Sequence, residues 1–292
     1  RVSVIDSCDN YDPFRLNVDG IPGSTVRDIE IGPNDSAFVF VEVTIDPNTE
    51  TCSPLQLGVL EFAVNGNLQY VTLFAFGWDA IFYTPDVFPT NGLPPFTLID
   101  SEATNITWTS EKPIVVYGYA VVDSAQTLTI EPGTQIYFHQ GAGLWVLEEG
   151  NIQCGAIGEE PVVFQGDRLE PFFDEEPGQW DRIWIFGGTE DNVFENTVIK
   201  NNFIGIQVEP SIFEDNFDRI FSNNLILRNV VIRNNSAAGI FSRNYRVRAE
   251  NLLSSSAGQN CLALTGAGEY RFAHCTFANN WSASTRQTPA VL

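Results

Sequence analysis

A repeat with asparagine at its corners, in the C-terminal part of the chain, limits the possible folds more than any other feature. Asn196-Thr-Val-Ile-Lys-Asn-Asn aligns with Asn229-Val-Val-Ile-Arg-Asn-Asn, then with Asn251-Leu-Leu-Ser and His274-Cys-Thr-Phe-Ala-Asn-Asn. The interval is 22 residues from Asn229 to Asn251 and 23 from Asn251 to His274. That period matches one coil of a parallel β-helix, in which each coil covers the apolar edge of the one before it. The 33 residues from Asn196 to Asn229 then require an insertion, and the acidic and aromatic stretch from Ser211 to Asn224 supplies it. Ile199, Ile232 and Phe277 share one repeat position and should stack inward. Asn201-Asn202, Asn234-Asn235 and Asn279-Asn280 fall at a corner, where stacked amides would satisfy the turn backbone.

Upstream, the pattern divides the chain. Apolar pairs recur after Gly- or Asn-containing corners from Pro113 onward, as in Leu128-Thr129-Ile130, Ile136-Tyr137-Phe138 and Leu144-Trp145-Val146. Between Phe14 and Trp78 the alternation is that of short antiparallel strands, punctuated by Asp19-Gly20, Pro33-Asn34 and Asn65-Gly66. The prolines at 85, 89, 94 and 95 mark a break. The expected fold class is therefore all-β: an N-terminal Ig-like β-sandwich over 1–85, a connector or cap over 86–112, and a right-handed parallel β-helix over 113–292, truncated at its C-terminus.

The formal charge of −22 disfavours nucleic acid as a partner, because phosphates would be repelled. The charge is also segregated. Residues 113–218 hold 19 acids and 3 bases, a net of −16, whereas residues 219–292 hold 2 acids and 8 arginines, a net of +6. Arg243, Arg246 and Arg248, supported by Arg228 and Arg233, therefore read either as a basic patch for carboxylates or sulfates or as counter-charges to the chain's own acidic loops. Arg246 and Arg248 are two apart in an expected strand and should share a face. Five cysteines form no C-x-x-C pair; Cys8 and Cys52 could make a disulfide, and buried thiols account for the rest.

The motifs Phe14-Arg-Leu-Asn-Val-Asp-Gly, Leu128-Thr-Ile-Glu-Pro-Gly-Thr, Gly178-Gln-Trp-Asp-Arg-Ile-Trp and the Asn-cornered repeats resemble those of envelope and secreted β-helix proteins of Gram-negative bacteria. Those proteins are often lipoproteins with a small N-terminal β-domain. The resemblance implies an extracytoplasmic, surface location and a pectin-lyase-like fold, but no activity. Val4-Ile5-Asp6-Ser7-Cys8 has Asp6 where a lipidation signal wants a small or apolar residue, so any membrane anchor would lie outside the sequence. The last residues read as a strand of a further coil.

Candidate chemistry is sparse. Glycoside hydrolysis needs two carboxyl groups flanking the bond, and the clusters Asp174-Glu175-Glu176 and Glu214-Asp215 read as loop residues. Uronate elimination needs a base, often Lys or Arg, with cations to neutralise the substrate carboxylate; Lys200 and Arg233 occupy matching repeat positions with no acidic calcium cluster at neighbouring repeat positions. Asp174, Glu175, Glu176, Glu214 and Asp215 are weak candidates for calcium; no other cofactor is expected. Trp180 and Trp184, with Phe172-Phe173, bracket the acidic insertion and could anchor a lid or stack on sugar rings. Asp35-Ser36-Ala37 and Asp123-Ser124-Ala125 resemble bacterial O-glycosylation acceptors, making Ser36 and Ser124 modification candidates. The function this supports is a non-enzymatic surface protein, either structural or binding an envelope protein partner or an acidic polysaccharide. A polysaccharide-active lyase or hydrolase is the alternative.

Overall fold

The computed structural model describes residues 1–6, 13–46, 54–210, 223–281, 285 and 287–292. The protein is all-β, 55% strand and 1% helix, and its long parallel sheets are compatible with a β-helix or solenoid. It divides into two compact units, Arg1–Asp79 and Ala80–Leu292. Among the described residues no helix is long and apolar enough to cross a membrane.

The first unit contains a four-stranded and a three-stranded sheet, both antiparallel. Its longest pairing joins Leu55–Val64 to Asn67–Phe76 through Asn65-Gly66. Both turn residues have positive φ, 49° and 84°, the geometry in which an Asn-Gly turn matches the twist of a hairpin. The core is small: Val2, Leu16, Val18, Val26 and Leu60. Cys8 and Cys52, the expected disulfide pair, lie outside the described residues.

In the second unit a twelve-stranded and a seven-stranded parallel sheet enclose one continuous apolar core. Parallel pairing starts earlier than the sequence suggests. Ile81–Tyr83 pairs with Ile114–Val116, Phe96–Leu98 with Tyr119–Val122, and Asn105–Trp108 with Thr127–Ile130. The segment expected to be a connector thus contributes short strands to the stack. Its prolines confine these to three or four residues without preventing them, since a parallel strand needs only a few backbone groups free to pair.

The repeat register is as aligned. Phe164, Ile199, Ile232, Ser254 and Phe277 form one column across successive strands. Ile199 and Ile232 are fully buried; Phe277 is partly buried against the same core. Ser254 interrupts the aliphatic column, and its hydroxyl donates to the Cys261 carbonyl at 2.8 Å. The corners explain the asparagines. Asn196, Asn229, Asn251 and His274 all have φ between 44° and 55°, a left-handed conformation that Asn tolerates better than most residues. Each turns the chain within a run of strand, so side chains after the corner resume their alternation on a new facet. Asn234 Nδ2 donates to Asn201 Oδ1 at 3.3 Å, Asn235 to Asn202, and Asn251 Nδ2 to Asn229 Oδ1 at 2.8 Å. Asn279 departs from the amide stack by donating to the Ala257 carbonyl at 2.7 Å.

Candidate anion-binding face

The outer surface of the twelve-stranded sheet is organised in columns, because parallel strands in register place equivalent side chains one rung apart, roughly 4.8 Å. One column runs Thr107, Thr129, Gln153, Val193, Ile226, Arg248, Arg271. None of these residues is buried, and the two arginines are exposed. The neighbouring column runs Glu195, Arg228, Glu250, alternating in sign. Arg228 closes an ion pair with Glu195. A second cationic rung pair is Lys200 with Arg233. Here a strap from Arg168 to Gln179 crosses the sheet and supplies the counter-charges. Lys200 Nζ lies 2.6 Å from Asp174 Oδ1, and Arg233 pairs with Glu175.

The arginines singled out in the sequence therefore do not form one patch. Arg243 belongs to the seven-stranded sheet. Its charge reaches Glu209, a carboxyl raised above its ordinary range by burial and drawn partly back by Gln207, Arg243 and Arg182. Arg246 contacts Glu269 at 3.3 Å. Arg228 and Arg233 are paired as above. Arg248 has no carboxylate partner among the described residues, and neither does Arg271, which sequence reasoning missed. The signal was available: Arg248 to Arg271 is 23 residues, the same interval as Asn251 to His274.

Arg248 and Arg271 line an open groove of about 440 Å³ together with Arg228, Glu250 and His274. A second groove of about 400 Å³, containing Gln153, Glu190 and Asp191, shares Ile226 and Arg228 with it. The Asp191 carboxylate accepts from the Asn224 backbone at 2.7 Å and from its amide at 2.8 Å. Behind it, buried Tyr245 accepts from Asn192 and Asn223, and burial raises its phenol well above the ordinary range. The groove thus runs from an acidic end, stiffened by a buried amide network, to a cationic end.

The remaining candidates fall elsewhere. Trp180 cannot be a sugar platform: it is 1% exposed and stacked on Phe138 at 4.3 Å, with its Nε1 donating to the Lys200 carbonyl at 2.9 Å. Trp180 points into the core with Ile183 and Ile185, because a register shift between Arg182 and Ile183 breaks the strand's alternation. Trp184 faces the other way and packs in a separate cluster with Tyr119, Trp145 and Phe186, with Arg182 5.4 Å from its ring. Phe172 and Phe173 lie on the strap, in a short turn that buries no residue. Asp174 and Glu175 are engaged by Lys200 and Arg233, and both carboxyls are held below their ordinary range mainly by those hydrogen bonds. Glu176 lies beside them on the strap. No group of three His, Cys, Asp or Glu among the described residues is placed to hold a metal ion. Glu214 and Asp215, the other calcium candidates, lie outside the described residues.

Ser36 and Ser124 are both exposed, and the backbone N–H of each donates to the preceding Asp carboxylate at 2.8 Å. The Ser124 hydroxyl also donates to the Glu148 carbonyl at 2.8 Å. His139 Nδ1 lies 2.7 Å from Asp167 on the surface. Burial pushes the Cys154 thiol up to about 12, which removes it as a nucleophile. Compared with known proteins, the chain matches no family model, no curated protein and no solved structure.

Proposed function

We propose that this chain is an extracytoplasmic, non-enzymatic binding protein of the cell surface, built as an Ig-like sandwich followed by a right-handed parallel β-helix whose side wall binds anions. The observation that carries the reading is the rung pair Arg248 and Arg271. Two exposed guanidinium groups in register repel each other, and the other cationic rung pair described on this sheet, Lys200 and Arg233, is neutralised by carboxylates of the chain itself. A cationic pair left open at the end of a groove is the arrangement that takes a carboxylate from outside, through short charge-assisted hydrogen bonds. Lys200 and Arg233, the residues placed for base chemistry, are tied to the strap, which supports binding over turnover.

The test is retention on columns of polyglutamate and polygalacturonate, each against an uncharged polymer. Wild-type protein is expected to be held on at least one acidic matrix at low salt and to elute as salt rises. The variant carrying Arg248→Ser and Arg271→Ser should flow through while melting at the same temperature. Equal retention of both proteins, or retention of neither, would remove the reading. Release of reducing ends or unsaturated uronates from a polysaccharide panel would establish the enzyme alternative instead.

A further inference from the structure

We infer that the Arg248/Arg271 site takes an acidic peptide segment with neighbouring carboxylates, supplied by a protein partner. This rests on the anion-binding reading above and names the ligand class. The template is internal. Lys200 and Arg233 stand one rung apart, and the strap lays consecutive Asp174 and Glu175 across them. Corner amides read the strap as a peptide. Asn201 Nδ2 donates to the Asp174 carbonyl at 2.8 Å and to the Phe173 carbonyl at 3.4 Å, and Asn234 Nδ2 donates to the Glu175 carboxylate. The protein thus already holds one acidic peptide on an in-register cation pair, through side-chain carboxylates and main-chain carbonyls together.

Arg248 and Arg271 repeat the cation pair with no strap over it among the described residues. His274 lines the same groove, at a different corner of the repeat from the asparagines beneath the strap. The groove favours a peptide over a glycan in a second respect. Among the described residues its lining includes no Phe, Tyr or Trp, so these offer no aromatic face for sugar stacking. Glu250 works against the ligand: it is exposed and two residues from Arg248 on the same face of the strand. Its charge repels the ligand carboxylates and lowers the affinity that the two arginines provide.

The experiment uses the whole chain and a fluorescent peptide with the strap sequence Phe-Phe-Asp-Glu-Glu-Pro, against the same peptide with Asn-Gln-Gln, read by anisotropy at low salt. The acidic peptide should bind and its control should not. Arg248→Ser and Arg271→Ser should each weaken binding at least ~10-fold, the scale of one lost charge-assisted contact, and Glu250→Gln should strengthen it severalfold. Arg233→Ser, which loosens the strap, should leave the affinity unchanged. Loss in the Arg233 variant rather than in the Arg248 variant would mean that the peptide replaces the strap, and would overturn the assignment. Binding of a uronic-acid oligomer that depends on Arg248 and Arg271, without binding of the peptide, would overturn the peptide class while leaving the anion-binding face intact. Binding of neither probe would overturn both.

Discussion

Asn229, Asn251 and His274 show how little of each repeat is needed to hold the register: a residue that accepts positive φ, and an inward-facing residue three positions later, here Ile232, Ser254 and Phe277. The inward position is where substitution tells most. Ile232 is fully buried between Ile199 and Ser254, whose hydroxyl already donates to the Cys261 carbonyl. Ile232→Asp places an unpaired carboxylate in the core and is expected to cost roughly 3–5 kcal/mol, read as a lowered midpoint in urea. An unchanged midpoint would mean that the column is wrongly registered. The site just outside that core is equally tight. A Cβ added at Gly239 would fall 2.2 Å from Ser254 Oγ and 2.5 Å from the Cys261 carbonyl, so the small residue there is set by Ser254, not by a turn.

At the scale of elements, the strap is the part of the second unit whose attachment is most electrostatic. Its turn buries nothing and Phe172 is 67% exposed, so its ties to Lys200, Arg233 and the corner asparagines hold it. Asp174 and Glu175 have folded-state values below the ordinary carboxylate range, so the folded strap binds fewer protons than the released one. The attachment is therefore complete above about pH 4–5 and is lost as pH falls through the lowered values. Hydrogen exchange of residues 168–179 should accelerate between pH 5 and pH 3, after correction for intrinsic rates, while the strands beneath stay protected. Equal protection at both values would show that packing, not charge, holds the strap. High salt at neutral pH should loosen it in the same direction, because these pairs are partly open to solvent.

At the scale of the whole molecule, the second unit has a core of its own, running from Ile99 to Leu262 without interruption. A chain of residues 80–292 is accordingly expected to fold with native-like circular dichroism and one cooperative melt; a molten or aggregated product would show that the first unit is required. Much of this organisation is written in the sequence. The all-β class, the columns through Ile199 and Ile232 and the Asn corners are local in origin, since alternation and a tolerance for positive φ are properties of single residues repeated at a fixed interval. The strands between Ile81 and Trp108 were hidden because three-residue pairings among prolines carry too little pattern to be recognised before their partners are known. The site was less legible for a related reason. Charge counts marked the C-terminal arginines as a group, but a net of +6 does not say which guanidinium meets which carboxylate. Trp180 and Trp184 look alike in sequence and differ only in the face each takes. The sequence by itself determined the repeat, and hence which residues share a column. Only the tertiary structure decided that the strap neutralises Lys200 and Arg233 while Arg248 and Arg271 meet no carboxylate among the described residues, because ion pairing depends on where an insertion lands across the sheet, a distance that no local pattern encodes.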